Sequence, residues 1–225
     1  MGLDWLLHGS KPKTGFEKQF HRINDKLNAL KSDEKLPDDK KKQLRSDLEL
    51  ALKSVSISPF EVIGAPRVGI DEDATEWFKR EVFAPIQLRL AKGKNAPRFV
   101  HYWGRPFDEV VQDERGKFVV QLAKDQDGVA AISGILCSSL DFRGKAVALS
   151  EVITEALKSE AYDDHSGDEC IDYADRLEAE LVDFKVRHSD WANRARIKED
   201  AEDIEAAVKW LRYWGSRGFG YTAWY

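Results

Sequence analysis

The chain has 225 residues, enough for one large domain with a sizeable buried core. Its 42% hydrophobic and 33% charged residues are those expected of a soluble globular protein, and a net charge of −5 with interspersed signs argues against general affinity for nucleic acid. No stretch approaches the roughly 18 apolar residues of a membrane span, so no membrane partner is expected.

The opening MGLDWLLHGS lacks the apolar run of a secretion signal, and Leu6 stands where N-myristoylation needs Ser or Thr. Cys137 and Cys170 have no paired spacing and read as reduced and buried, so the expected address is cytoplasmic. Seven Trp are many for this length, and Trp5, Trp210, Trp214 and Trp224 crowd the two ends. Chain ends are normally polar and frayed. Ends this aromatic predict docking, on the domain or on a partner.

After a loop over 9–15, Phe16, Phe20, Ile23, Leu27 and Leu30 step by four and three along one helix face. Pro37 can open a second helix with Leu44, Leu48 and Leu52 as its apolar side. Together they predict an αα-hairpin over 15–55 with a heavily charged exterior. The simpler reading lays it on the body with a solvated face; the functional one makes it an arm that grips a partner.

Residues 56–140 form the strand, loop and sheet region. A short strand runs into a loop stiffened by Gly64, Pro66 and Gly69, then a helix from about Ala74 buries Trp77, Phe78, Val82, Phe83 and Ile86. Pro85 should kink that helix or end its first half. The β-branched runs at 98–103, 117–123 and 129–136 predict a three-stranded antiparallel meander.

Residues 145–214 read as helices. One runs from Ala146 onward, entered through Asp-Phe-Arg-Gly-Lys; a second starts at the capping box Ser166–Glu169 with Ile171, Ala174, Leu177, Leu181 and Phe184 behind it. A last helix spans about Glu199 to Trp214, with Ile204, Ala207, Val208, Leu211 and Trp214 inward and Gly215 as its left-handed C′ residue. The aromatic tail, 215–225, should pack across the sheet on Phe219, Tyr221 and Trp224. The fold class is α+β: a mostly helical single domain, 1–225, with an N-terminal αα-hairpin and a small sheet in the middle.

For chemistry, the usual signatures are missing: there is no phosphate-binding Gly loop, nucleophile elbow or His-Glu-x-x-His, and no cofactor is implied. Asp163, Asp164 and His165 with Asp168 suggest a metal-dependent hydrolase, although Ser166, Asp168 and Glu169 are explained by helix capping. His101, with Asp108 or Glu109 nearby, is the candidate acid–base residue.

A pattern emerges from the loops. Arg67, Arg105, Arg143 and Arg217 all lie in Gly- or Pro-rich connections, where a backbone can approach a ligand and a guanidinium can grip a carboxylate or phosphate. Arg143 and Lys145 also sit at a helix start, where acids are expected. The sequence therefore predicts a small anionic ligand (phosphate-, nucleotide- or carboxylate-bearing) in an Arg-lined pocket formed by Arg67, Arg105, Arg143, Lys145 and Arg217, with turnover through His101 left open. A non-catalytic interaction module of regulatory or immunity type is the alternative, resting on the charged hairpin and the surplus of Trp.

Overall fold

The two aromatic chain ends meet. In the computed structural model, which describes residues 2–8, 11–31, 36–93, 101–129 and 140–225, β1 (Asp4–His8) and β4 (Gly220–Trp224) pair antiparallel, with Trp5 opposite Ala223 and Leu7 opposite Tyr221. Each outer edge takes one more bridge, Trp5 with Phe142 and Tyr221 with His165. Trp5 is wholly buried; its Nε1 donates to the Ala161 carbonyl at 2.8 Å, and its ring stacks on Tyr221 with centroids 4.6 Å apart. An indole brings much apolar area and one N–H that must find an acceptor, so this end is fixed rather than frayed. Phe219 and Tyr221 are buried with it, whereas Trp224 is 64% exposed. Alternation along β4 turns Tyr221 inward, and Trp224 falls on the outward phase.

Two long helices cover this ribbon. α9 (Gly167–Arg187) begins at the expected capping box, with Ser166 N–H on Glu169 Oε2 at 2.8 Å and Glu169 N–H on Ser166 Oγ at 3.4 Å. It buries Cys170, a free thiol, together with Tyr173, Ala174, Leu177, Leu181 and Phe184; Cys137 lies outside the described residues. α10 (Ala195–Gly215) packs along it, burying Ile204, Ala207, Val208, Leu211 and Trp214.

Gly215 is not the left-handed residue. It lies inside α10, where an added Cβ would come within 2.7 Å of the Gly167 carbonyl oxygen, so its smallness serves helix contact. The left-handed residue is Gly218, at φ 73°. Phe219 N–H bonds the Trp214 carbonyl and Gly218 N–H that of Gly215, a Schellman closure in which the Phe219 ring meets Trp214 edge-on.

The helix expected from Ala146 onward is two short ones. α7 (Gly144–Ala148) stops before Ser150, whose Oγ accepts the Val152 N–H, and α8 (Glu155–Glu160) starts afresh after Thr154. A hydroxyl competing for a nearby amide, followed by β-branched Val152, Ile153 and Thr154, accounts for the break.

In the middle the three-stranded meander is not confirmed, and part of the described sequence expected as strand is helical. His101 and Tyr102 occupy a helical turn; Phe118 makes one bridge to Arg67, and Val120–Leu122 is a 3₁₀ turn. Residues 98–100 and 130–136 lie outside the described residues. Among the described residues the sheets are two short antiparallel pairs, β1–β4 and β2 (Lys11–Pro12) with β3 (Ser56–Ile57), so the fold is α+β in the broad sense. β-branched runs of this length also suit buried turns, and periodicity alone does not separate the two.

A second apolar cluster lies among α4 (Glu72–Trp77), α5 (Ala84–Ala91) and α6 (Phe107–Asp113), centred on Phe78, Val82, Ile86, Tyr102 and Val110. At Pro85 the helical run changes form rather than stopping, with Pro85 in the first turn of α5. A π-helical stretch, Phe78–Phe83, precedes it and absorbs the missing hydrogen bond.

The hairpin forms as expected from α1 (Glu17–Lys31) and α2 (Asp38–Val55). Phe20, Ile23 and Val55, with Leu27, Leu48 and Leu52, make a cluster of their own, and the helices reach the rest of the chain through the β2–β3 ribbon. Among the described residues, no helix is long and apolar enough to cross a membrane.

Candidate functional site

The loop arginines divide by what already holds them. Arg67 lies 5.8 Å from the centroid of Phe118, and its own N–H is taken by Asp71 Oδ2 at 2.7 Å. Arg105 bonds Asp113 at 2.5 Å and lies 3.6 Å from Glu109, both on α6. The guanidinium of Arg217 lies 3.6 Å from the Tyr213 ring centroid, donates to the Tyr213 carbonyl at 3.0 Å and approaches Asp125 at 3.8 Å. Tyr213 Oη donates to the same Asp125 at 2.7 Å, a bond that holds this carboxyl below its ordinary range. Arg217 thus ties the turn at Asp125 to the end of α10.

Arg143 is different. Its side chain is 80% exposed, and among the described residues it is held only by a long ion pair, Nε to Asp4 Oδ1 at 3.8 Å. It borders a cleft of about 340 Å³ between α7, α10 and residues 126–129. Phe142 and Trp210 form the aromatic floor, Val129, Ala146 and Ala206 add apolar wall, and Lys209, Asp127 and Asp203 complete the rim. Lys209 is engaged with Asp127 at 2.7 Å. Burial, and then Glu199, Asp200 and Glu202 around it, push the Asp203 carboxyl above its ordinary range.

The helix start contributes less than its charge suggested. α7 has five residues, and the Lys145 N–H is spent on the Leu3 carbonyl at 2.9 Å. The chain entering β1 therefore caps this helix, which resolves the apparent conflict of Arg143 and Lys145 with the dipole. Lys145 is exposed and lies outside the cleft lining.

His101 stands exposed with its ring edge-on to Tyr102, and among the described residues neither Asp108 nor Glu109 bonds it. The acidic stretch is closed on itself. His165, 4% exposed, is stacked between Tyr173 (5.0 Å) and Tyr221 (4.9 Å); its Nδ1 faces the Asp163 carbonyl and its Nε2 faces Glu160 Oε1, each at 3.1 Å. Arg176 grips Glu160 through both terminal nitrogens and holds its carboxyl below the ordinary range. Asp164 accepts the Ala223 N–H at 2.9 Å. Both ring nitrogens of His165 are engaged within the protein, and among the described residues no group of three or more His, Cys, Asp or Glu could hold a metal ion.

A cleft of about 620 Å³ between α9 and α10 has Leu181 and Val208 in its wall, but its rim is self-paired: Arg212 bonds Asp175 and Glu178, and Lys185 bonds Glu205. Sequence reasoning missed Asp203, Lys209 and Trp210 as site residues. The available signal was the run of Glu199, Asp200, Glu202 and Asp203, more acid than one helix face can pair. Comparison of the chain with family models, with curated proteins and with solved structures gives no match.

Proposed function

We propose that the chain binds a small anionic ligand in the Arg143 cleft. The observation that carries this reading is that Arg143 borders an aromatic-floored cleft and is held, among the described residues, only by its long contact with Asp4. A planar fork suits carboxylate or phosphate, and the apolar floor lowers the dielectric in which the pair forms. The volume lies at the lower end of the roughly 300–1,000 Å³ of ligand sites, which favours a small carboxylate or phosphate over a nucleotide. Arg67, Arg105 and Arg217 serve the scaffold in this reading, and no acid–base role for His101 is part of it. Thermal shift with inorganic phosphate and a series of small carboxylates tests the idea, with Arg143→Ala beside the parent. A ligand at about 100 times its Kd should add about 2.7 kcal/mol of stability. Absence of any shift, or an equal shift in the variant, refutes the reading.

A second reading, an interaction module, is favoured by the hairpin's separate cluster. α1 and α2 do not need the main core to bury Phe20, Ile23 and Val55, and Leu50 is left 70% exposed on α2. In-cell crosslinking, read by mass spectrometry, should place intermolecular links on the lysines of α1 and α2. Links spread evenly over the surface would remove the hairpin from consideration.

A further inference from the structure

We infer that the ligand of the Arg143 cleft is a zwitterion, with an amine cation seated on Asp203 and its acid group on Arg143. This rests on the anion-binding reading and goes beyond it by naming a second recognised group. The acids of α10 have unequal fates. Asp200 accepts the Glu151 N–H at 2.7 Å, and Glu202 lies 3.7 Å from Lys198. Asp203, turned to the cleft, has no hydrogen bond or ion pair among the described residues. The bases on the rim do not answer it, because Lys209 is held by Asp127 and the carboxylate nearest Arg143 is Asp4.

A plain anion entering this cleft would meet Arg143 but also an uncompensated carboxylate, whose like charge weakens its hold. An ammonium group on the same molecule removes that repulsion and supplies the missing partner. Phe142, Trp210 and Ala206 line the same cleft, which suits a short hydrocarbon frame. Amino acids and ω-amino acids have this composition.

The test is calorimetry on the intact chain near neutral pH. The probes are L-leucine and ε-aminocaproate, each against its N-acetylated form, which keeps the carboxylate and loses the cation. At least one amino form should bind about tenfold more tightly than its acetylated partner, the worth of one charge-assisted hydrogen bond. Asp203→Asn should shrink that ratio to about twofold or less by removing the charge the ammonium pairs with, and Asp203→Ser serves as a second neutral variant. Arg143→Ala should weaken both members of the pair. If the acetylated form binds as well as the amino form in the parent, the zwitterion inference is wrong while anion binding stands. If neither form binds, nor any simple anion, both fall together.

Discussion

The surroundings of His165 and of Arg143 both hold acids and bases and are built on opposite terms. Around His165 the central charges are held within the protein: Glu160 has Arg176, Arg176 has Asp172 as well, and Asp164 has the Ala223 amide. The group fastens β4 to the start of α9, since His165 and Tyr221 also exchange backbone hydrogen bonds at 2.9 Å each way. Around Arg143 the pairing is looser: Arg143 has one long contact with Asp4, and Asp203, in the same cleft, has no partner among the described residues. A dense cluster of acids and a histidine is thus structural, and a sparser pair is the candidate site. What separates them is satisfaction rather than density.

Substitutions should split along that line. His165→Ala removes a buried ring stacked on two tyrosines and leaves Glu160 without one partner, so it should cost about 3 kcal/mol in denaturant unfolding while the folded fraction still binds anions. Comparable binding loss and stability loss would erase the contrast between the regions. Glu160→Gln is the next largest, about 1 kcal/mol, moderated because Arg176 is partly solvated. Its pH dependence carries a sign. The folded-state pKa of Glu160 is depressed, so its contribution is full above the ordinary carboxylate value of 4.5 and is lost as pH falls through the folded value. Parent and variant should therefore differ most near neutrality and converge in acid.

The same distinction explains what was legible in the sequence. Helical periodicity marked the hairpin and α9 well, because their apolar residues recur at the helical spacing and Ser166–Glu169 announces a start. The ribbon of β1 and β4 was legible only as aromatic ends that had to dock. Its pairing joins residues as far apart as Asp4 and Trp224, and nothing local specifies that register. Gly215 was misread since a helix-packing glycine and a C′ glycine look alike in sequence, and only the nearness of Gly167 distinguishes them. Of the four loop arginines, sequence could name the residue type suited to an anion. It could not show that Phe118, Asp113 and Tyr213 had already claimed three of them.

The smallest expected effects on stability fall at the cleft. Asp203→Asn should stabilise the chain by about 0.5 kcal/mol, by relieving like-charge contact with Glu199 and Asp200 one turn away. Its raised pKa means that the ionised carboxylate opposes folding at neutral pH and ceases to do so as it protonates in acid. The gain should accordingly vanish at low pH, and a gain that persists there would mean another cause. Arg143→Ala should stay within about 0.5 kcal/mol of the parent, because an ion pair at 3.8 Å with 80% and 35% exposed partners contributes little. The same variant should nonetheless abolish the anion-dependent thermal shift. A residue that the fold does not need and the ligand does is the pattern a binding site requires. Should Arg143→Ala unfold the protein as readily as His165→Ala, Arg143 would belong with the clasped charges, and the distinction between the two regions would be lost.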